Sequence, residues 1–305
     1  MLTSKTAEEA FKVLAETRYS ELMSDIKDYR DFEQLIFLEQ RRVKAYIEAN
    51  APDLTLIGLL YLKYDVHNLK VLLKDKFLNA SNQHLFVDLG TRPVSELSEM
   101  VESGNYDALN PEIAMRLREI NSRIEQDKNP LWIDLLLDKG LYDAMITLSE
   151  KNKSGYIREL VKTQIDLINI KTLIRIKASS YDKEVLKDFI IDNGHLNLAF
   201  YEEAYDEALS ALPGKLTIYG YEAFLEEAIE DFGNITNLIK YEQLAEAFFF
   251  EKVKQAKYVA FGVEPLIGYI LAVENEAKLI RMIMVGKINT ISTDAIKERL
   301  GDVYV

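Results

Sequence analysis

Apolar residues recur at helical spacing along most of the chain. From Leu54 to Phe77 the run LTLIGLLYLKYDVHNLKVLLKDKF keeps an apolar stripe through Leu69, Leu72 and Leu73. Thirteen glycines and six prolines in 305 residues are too few for a fold built of many short strands. The segment GKLTIYG, Gly214 to Gly220, looks strand-like but is too isolated to form a sheet. The pattern therefore predicts an all-α protein.

The start of the Leu54 helix carries helix-initiating residues. Asn50 can cap the helix, Pro52 fits its first turn, and Asp53 suits the positive end of the helix dipole. We therefore expect a long, uninterrupted helix after this point.

A mixed charged and apolar segment occurs three times, roughly 100 residues apart. The copies are YDVHNLKVLLKDKF, IDLINIKTLIRIKA and the more divergent NEAKLIRMIMVGKI. When they are superimposed, an acid, a base and a second base recur at fixed spacing. The acids are Asp65, Asp166 and Glu276, the first bases are Lys70, Lys171 and Arg281, and the second bases are Lys76, Lys177 and Lys287.

A short amphipathic helix is expected after each copy. PVSELSEMVESGNY follows the first copy and KEVLKDFIIDNGHL the second, and we expect Gly104 and Gly194 to end these helices in the left-handed conformation. After the third copy, TDAIKERLGDVYV has Thr293 or Asp294 as a candidate N-cap and Gly301 as a stop. The polar stretch EQDKNP and the segment LPGK then divide the chain into three helical domains: 1–125, 126–212 and 213–305.

The repeat also argues against a catalytic histidine. His67 corresponds to Ile168 in the second copy and Lys278 in the third, so His67 is interpreted as structural. The sequence has no glycine-rich phosphate loop, nucleophile elbow, H-E-x-x-H motif or EF-hand loop. No cofactor or metal is expected from these patterns.

The charge composition of the chain indicates which kinds of partner it could bind. With 37 basic and 50 acidic residues the net charge is −13, which argues against a nucleic-acid surface. The excess of acids indicates either simple solubility or an acidic face that meets a basic partner. The absence of cysteine excludes disulfides and thiol nucleophiles.

No segment reaches the roughly 18–20 apolar residues of a membrane span. The N-terminal residues include Glu8 and Glu9 where a secretion signal would need an apolar core, so we expect an amphipathic helix of the mature protein there.

The last third of the chain carries three motifs in order: FG-x-EPL, then E-x-E-x-x-x-IR-x-I-x-x-GK, then I-x-ERL-x-x-x-YV. Together with YLKYDVHNLKVLLKDKF near the start, they resemble the C-type subunits of the prokaryotic V-type (A-type) ATPases, a family whose eukaryotic relative is the d-type subunit of the V-ATPase. The resemblance covers essentially the whole chain. It implies three similar helical domains around a pseudo-threefold axis, in the shape of a funnel.

The resemblance further implies a non-catalytic rotor component at the cytoplasmic face of the membrane. Such a socket would seat the central shaft subunits (D and F type) and rest on the membrane rotor ring that carries protons or sodium ions. The repeated charged positions are then candidates for its inner wall: Asp65, Lys70, Asp166, Lys171, Glu276 and Arg281.

Two interpretations of these six positions stay open, because a polar face at helical spacing does not distinguish partner from neighbour. They either contact a partner or join neighbouring helices through ion pairs. The competing functional hypothesis is a free-standing α-helical scaffold or adaptor, although solenoid repeats usually run about 20–50 residues. An all-helical enzyme is a further alternative that no motif supports.

Overall fold

A computed structural model describes residues 1–51, 53–230 and 238–300. These residues form helices and connecting turns, with no β-strand among them, which confirms the all-α prediction for the described ranges. The strand-like segment Gly214–Gly220 forms no strand, in agreement with the expectation that it is too isolated for a sheet. A short helix ends at Lys215 and a 3₁₀ turn follows at Thr217–Tyr219, where burial of Leu216 and a left-handed Gly220 favour a compact turn.

The chain divides into two compact units. The central unit comprises Asp53–Leu238, and the terminal unit combines Met1–Pro52 with Ile239–Val305. The pseudo-threefold funnel and the boundaries at 1–125, 126–212 and 213–305 stay predictions.

The central unit is organised around the helix α6 (Leu131–Lys151), which packs against α3, α5 and α7. Leu69 and Leu73 of α3, Leu137 of α6 and Ile170 of α7 are fully buried, as expected for apolar stripes at helical spacing. The other helices of this unit are α3 (Leu54–Leu78), α4 (Val94–Ser103), α5 (Pro111–Gln126), α7 (Gly155–Ala178), α8 (Leu186–Phe189), α9 (Leu198–Asp206), α10 (Leu212–Lys215) and α11 (Glu222–Glu230).

The terminal unit joins the two ends of the chain in one core. Buried residues of the N-terminal helices, including Phe11 and Leu35, form a cluster with Ile280 and Met284 near the C-terminus. The expected N-terminal amphipathic helix is present, and it buries Ala7, Ala10 and Phe11. The helices of this unit are α1 (Ala7–Lys12), α2 (Phe32–Asn50), α12 (Ile239–Lys254), α13 (Glu264–Ile288) and α14 (Thr293–Leu300).

The N-terminal caps differ from expectation by a few residues. Asp53 caps α3 itself, because its carboxylate accepts hydrogen bonds from the amides of Thr55 and Leu56, whereas Asn50 is the last residue of α2. Ser292 caps α14, since its hydroxyl accepts from the Ala295 amide at 3.2 Å. Both predicted caps, Asn50 and Thr293 or Asp294, are therefore wrong.

Of the glycines predicted to end helices, one is confirmed and one is wrong. Gly104 ends α4 in the left-handed conformation, which confirms its predicted role. Gly194 does not end a helix: α8 stops at Phe189, and the left-handed residue nearby is Asn193. The predicted stop at Gly301 lies outside the described residues.

The described helices also bear on membrane spans and metal sites. None of them combines the length and the apolar character that crossing a bilayer requires. Within the same ranges, no group of three or more histidine, cysteine, aspartate or glutamate side chains is arranged to hold a metal ion.

Candidate functional site

The three repeated segments lie on three long helices, α3, α7 and α13, and these three helices end in the same way. A residue just after the final turn has a positive φ in each case: 50° at Asn79, 54° at Ser180 and 55° at Thr290. The next amide then bonds to a carbonyl five residues back, in the manner of a Schellman cap. The third copy, weakest in sequence, therefore ends in the same type of cap as the first two.

The acid of the first copy, Asp65, is 2% exposed and fastens a loop to α3. Its carboxylate accepts from the amides of Thr91 at 2.9 Å and Arg92 at 3.2 Å, and from the Thr91 hydroxyl. Burial raises the pKa of Asp65, and these hydrogen bonds oppose that rise. We call Asp65, Thr91 and Arg92 the Asp65 cluster.

The acid of the second copy, Asp166, is fully buried and fastens the loop between α8 and α9 to α7. It accepts from the amides of His195 and Leu196, each at 3.2 Å, and from the Tyr221 hydroxyl at 2.9 Å. The His195 ring nitrogen Nδ1 lies 2.7 Å from the same carboxylate. We call Asp166, His195, Leu196 and Tyr221 the Asp166 cluster.

Each loop passes so close to its acid that only a glycine fits at one position. A Cβ atom on Gly90 would lie 2.0 Å from Oδ1 of Asp65, and one on Gly194 would lie 2.3 Å from Oδ1 of Asp166. Close approach to a buried carboxylate, not helix termination, therefore accounts for Gly194.

The acid of the third copy, Glu276, is placed differently. Its side chain is 43% exposed, and it pairs with Arg18 at 2.8 Å. Two arginines also form ion pairs with the fully buried Glu39: Arg18 at 3.2 Å and Arg42 at 2.9 Å. The geometry of these two contacts is not that of a hydrogen bond. The N-terminal segment thus supplies the partner that a following loop supplies in the other two copies.

Two of the three first bases, Lys70 and Arg281, form ion pairs with a neighbouring helix. Lys70 of α3 bonds Asp138 of α6 at 2.7 Å. Arg281 of α13 binds Glu33 of α2 through two parallel bonds of 2.7 and 2.8 Å. Lys171 is half-buried on α7. The interhelical geometry of two of these residues is the one expected of structural ion pairs, and contact of the six positions with a partner stays a prediction.

The ammonium groups of the second bases donate hydrogen bonds to main-chain carbonyl oxygens. Lys76 donates to the Val101 carbonyl in the last turn of α4 at 2.7 Å. Lys177 donates to three carbonyls at the end of α9, those of Ala204, Tyr205 and Glu207. Lys287 donates to the Ser4 carbonyl at 2.7 Å and to the Thr293 hydroxyl at 2.9 Å. For Lys76 and Lys177, a positive charge at a helix C-terminus satisfies carbonyls that the helix itself leaves unpaired, whereas the Ser4 carbonyl precedes α1.

Sequence reasoning missed the role of two asparagines. Asn68 exchanges two hydrogen bonds with the main chain of Val87, both at 2.9 Å, and Asn169 does the same with Ile191 at 2.7 and 2.9 Å. Both asparagines are fully buried. The signal was an identical amide at the same position of two copies, whereas the third copy has Leu279 there.

The sequence matches a known protein family over almost its whole length. The model of the ATP synthase (C/AC39) subunit family matches residues 1–299. The chain belongs to this family. Its buried acid clusters, lysine caps and long helices are therefore those of a C/AC39 family member.

Individual relatives of this C/AC39 member share most or all of its length at low identity. The C subunit of the A-type ATP synthase of Methanocaldococcus jannaschii is 26% identical, over 98% of this chain and 80% of the relative. The C subunit of the V-type sodium ATPase of Enterococcus hirae is 24% identical, over 100% of this chain and 92% of the relative. The C subunit of the A-type ATP synthase of Methanosarcina acetivorans is 27% identical, over 80% of this chain and 69% of the relative.

Proposed function

We propose that this chain is a non-catalytic central-stalk subunit of a V-type or A-type rotary ATPase. It acts as a socket between the rotating shaft and the membrane ring that translocates protons or sodium ions. The observation that carries the proposal is the family match over residues 1–299. The similarity over nearly the full chain to the C subunits of both an A-type ATP synthase and a V-type sodium ATPase supports it.

The partners in this proposal are the D-type and F-type shaft subunits on one side and the membrane rotor ring on the other. The protein is then a peripheral component at the cytoplasmic face of the membrane. It needs no cofactor for this work, because the socket transmits torque and leaves the chemistry of ATP to other subunits.

The internal bonding supports a torque-transmitting role. A rotor part must resist shear between its helices, and long helices joined at their ends deform less than helices in contact by apolar packing alone. Each of α3, α7 and α13 is joined to its surroundings by a buried or paired acid and by a lysine near its C-terminus. An ion pair to a neighbouring helix adds to this in α3 and α13. The repeated polar residues are thus engaged in structure, which supports a non-catalytic role.

The six repeated positions divide by exposure within the proposed socket. Asp65 and Asp166 are buried, and they fasten loops to the helices that would form the wall of the socket. Glu276 and Arg281 keep 43% and 45% of their side chains exposed, so they are the preferred positions for contact with the shaft or the ring. Lys70 and Lys171 are intermediate, with the Lys70 side chain 19% exposed.

The decisive experiment is reconstitution of the ATPase with and without this chain. We expect the soluble head to hydrolyse ATP in both preparations, while ion transport driven by ATP is lost without the chain and restored when the purified chain is added back. Persistent coupling without it would overturn the socket role. Failure of the chain to co-purify with shaft subunits and ring would favour the scaffold hypothesis.

A charge exchange separates partner contact from internal pairing at Arg281. Arg281→Glu breaks the pair with Glu33, and the double variant Arg281→Glu with Glu33→Arg restores it with the charges exchanged. If Arg281 contacts a partner, coupling stays impaired in the double variant although thermal stability recovers. If coupling recovers together with stability, the residue serves only to join α13 to α2.

A further inference from the structure

The imidazole of His195 lies between two carboxylates. Nδ1 is 2.7 Å from Oδ2 of Asp166, and Nε2 is 3.0 Å from Oε2 of Glu159. Asp166 and Glu159 both belong to α7, whereas His195 belongs to the segment 190–197 between α8 and α9. The histidine side chain therefore connects this segment to α7 at two points.

The geometry determines which protonation state suits the site. A neutral imidazole carries one N–H, so it can donate to one carboxylate only and presents a lone pair to the other. A doubly protonated ring donates to both. With two carboxylate oxygens at hydrogen-bond distance, the structure matches the charged form of the ring.

We propose that His195 is a proton-dependent latch, which fastens the segment 190–197 to α7 when its ring is doubly protonated and releases the Glu159 end when one proton is lost. This property belongs to the chain itself and stands independently of the proposed socket role.

The two ends of the latch differ in strength. The Asp166 end is fully buried and keeps three further donors: the amides of His195 and Leu196 and the Tyr221 hydroxyl. The Glu159 end is 60% exposed, so its carboxylate can rotate into water. Loss of the Nε2 proton therefore opens the Glu159 end first and leaves the Asp166 end closed.

The surrounding charges favour the closed form. Hydrogen bonding to Asp166 is the main cause that raises the pKa of His195, burial opposes it, and Glu159 adds to the rise. The bond to His195 lowers the pKa of Glu159, with Lys162 and Arg158 contributing in the same direction. Tyr219 lies beside the imidazole with ring centroids 5.6 Å apart, and Tyr221 faces Asp166.

The direction of the pH effect follows from linkage. A histidine whose pKa is raised on folding contributes stability that is complete below its unfolded pKa, about 6.5, and is lost as the pH rises through the folded pKa. The segment 190–197 should therefore be held most firmly in mildly acidic solution.

The direct test is ¹⁵N NMR of the histidine ring nitrogens in the full-length chain. The protein has three histidines, so the His195 signals are assigned from their absence in His195→Gln. We expect both His195 nitrogens to carry protons in mildly acidic solution and the ring to titrate above the ordinary histidine value. A titration midpoint at or below that ordinary value would overturn the proposal.

The variant Glu159→Gln tests the exposed end without disturbing the buried one. We expect the titration midpoint of His195 to fall, because the second charged partner is gone. Glu150→Gln, at an exposed acid near the end of α6, is the control for the change in net charge. An unchanged His195 midpoint in Glu159→Gln, or an equal fall in the control, would contradict the latch.

Amide hydrogen exchange then reports whether the segment moves. Wild type and Glu159→Ala, which removes the hydrogen-bond partner of Nε2 altogether, are compared at each pH, so that the intrinsic pH dependence of exchange cancels. We expect residues 190–196 to exchange more slowly in the wild type below the midpoint of His195 and equally in both proteins above it. Equal exchange at every pH would show that the ring does not fasten the segment.

Discussion

Within the central unit, Asp65 on α3 and Asp166 on α7 occupy equivalent positions, yet they receive different donors. The Asp65 cluster uses two amides and the hydroxyl of Thr91. The Asp166 cluster uses two amides, the hydroxyl of Tyr221 and the ring of His195. A threonine hydroxyl keeps its proton across the neutral range, whereas an imidazole can lose one.

The comparison shows that the same structural arrangement, a buried carboxylate that fastens a loop to a long helix, can be completed by different donor groups. In both clusters a buried carboxylate on a long helix satisfies the amides of a passing loop, which would otherwise be unpaired in the interior. The donors that complete each site are free to differ, and the choice of histidine in the second cluster adds dependence on pH. Equivalent positions in a repeat thus preserve geometry without preserving chemistry.

The largest effect is expected on removal of the acids. Asp166→Ala leaves an imidazole, two amides and a hydroxyl without their acceptor and should lower the free energy of unfolding by about 3–5 kcal/mol. Asp65→Ala, with fewer donors, should cost about 2–3 kcal/mol. Urea unfolding followed by circular dichroism measures both. Equal losses would break the comparison, and Asp→Asn variants at both positions provide the same ranking if either alanine variant does not fold.

Replacement of the second bases comes next. Lys177→Met keeps the apolar stem but removes a donor to three carbonyls, so we expect a loss of about 1.5–3 kcal/mol. Lys76→Met removes a donor to the Val101 carbonyl and should lie at the lower end of that range. The same urea experiment applies, and a larger loss at Lys76 would contradict the ranking.

Alanine at the two close-approach glycines should have a moderate effect. Gly194→Ala and Gly90→Ala each place a methyl group against a buried carboxylate oxygen, at a cost of about 1–2 kcal/mol. Gly155→Ala is the matched control, because its Cβ meets nothing within 4 Å at the start of α7, and it should be neutral or stabilising. Thermal unfolding of the three variants checks this, and a neutral Gly194→Ala would mean that the loop can move away from Asp166.

The smallest effect is expected from single hydroxyl groups. Tyr221→Phe and Thr91→Val each remove one donor to a buried carboxylate and should each cost about 1 kcal/mol. If the clusters differ only through His195, the two losses will agree within experimental error in mildly acidic solution, which a pair of denaturant titrations can establish. A clear disagreement would show that the hydroxyls also contribute unequally.

Much of the local structure follows from the sequence. Helical periodicity located α3, α7 and α13, and superposition of the copies identified the acids and bases that the structure engages. The left-handed stop of α4 at Gly104 followed from glycine at the end of an amphipathic segment. These features depend on residues within a few helical turns along the chain, and at that range the pattern of apolar and polar residues is informative.

The partners of those residues did not follow from the sequence. Arg18 and Glu276 are 258 positions apart, and Lys287 reaches Ser4 across almost the whole chain. His195 joins a cluster through a loop whose length differs from that of its counterpart, so superposition of the copies could not reveal it. Such contacts depend on tertiary packing, which periodicity does not encode.

The left-handed residues after α3, α7 and α13 have a practical consequence for anyone who prepares this protein. Asn79 tolerates its conformation, but Ser180 and the β-branched Thr290 hold theirs against steric repulsion. Glycine at those two positions would relieve that repulsion without altering a single packed surface. We therefore expect Ser180→Gly and Thr290→Gly to raise the thermal stability of the protein, which would help prolonged purification and assembly.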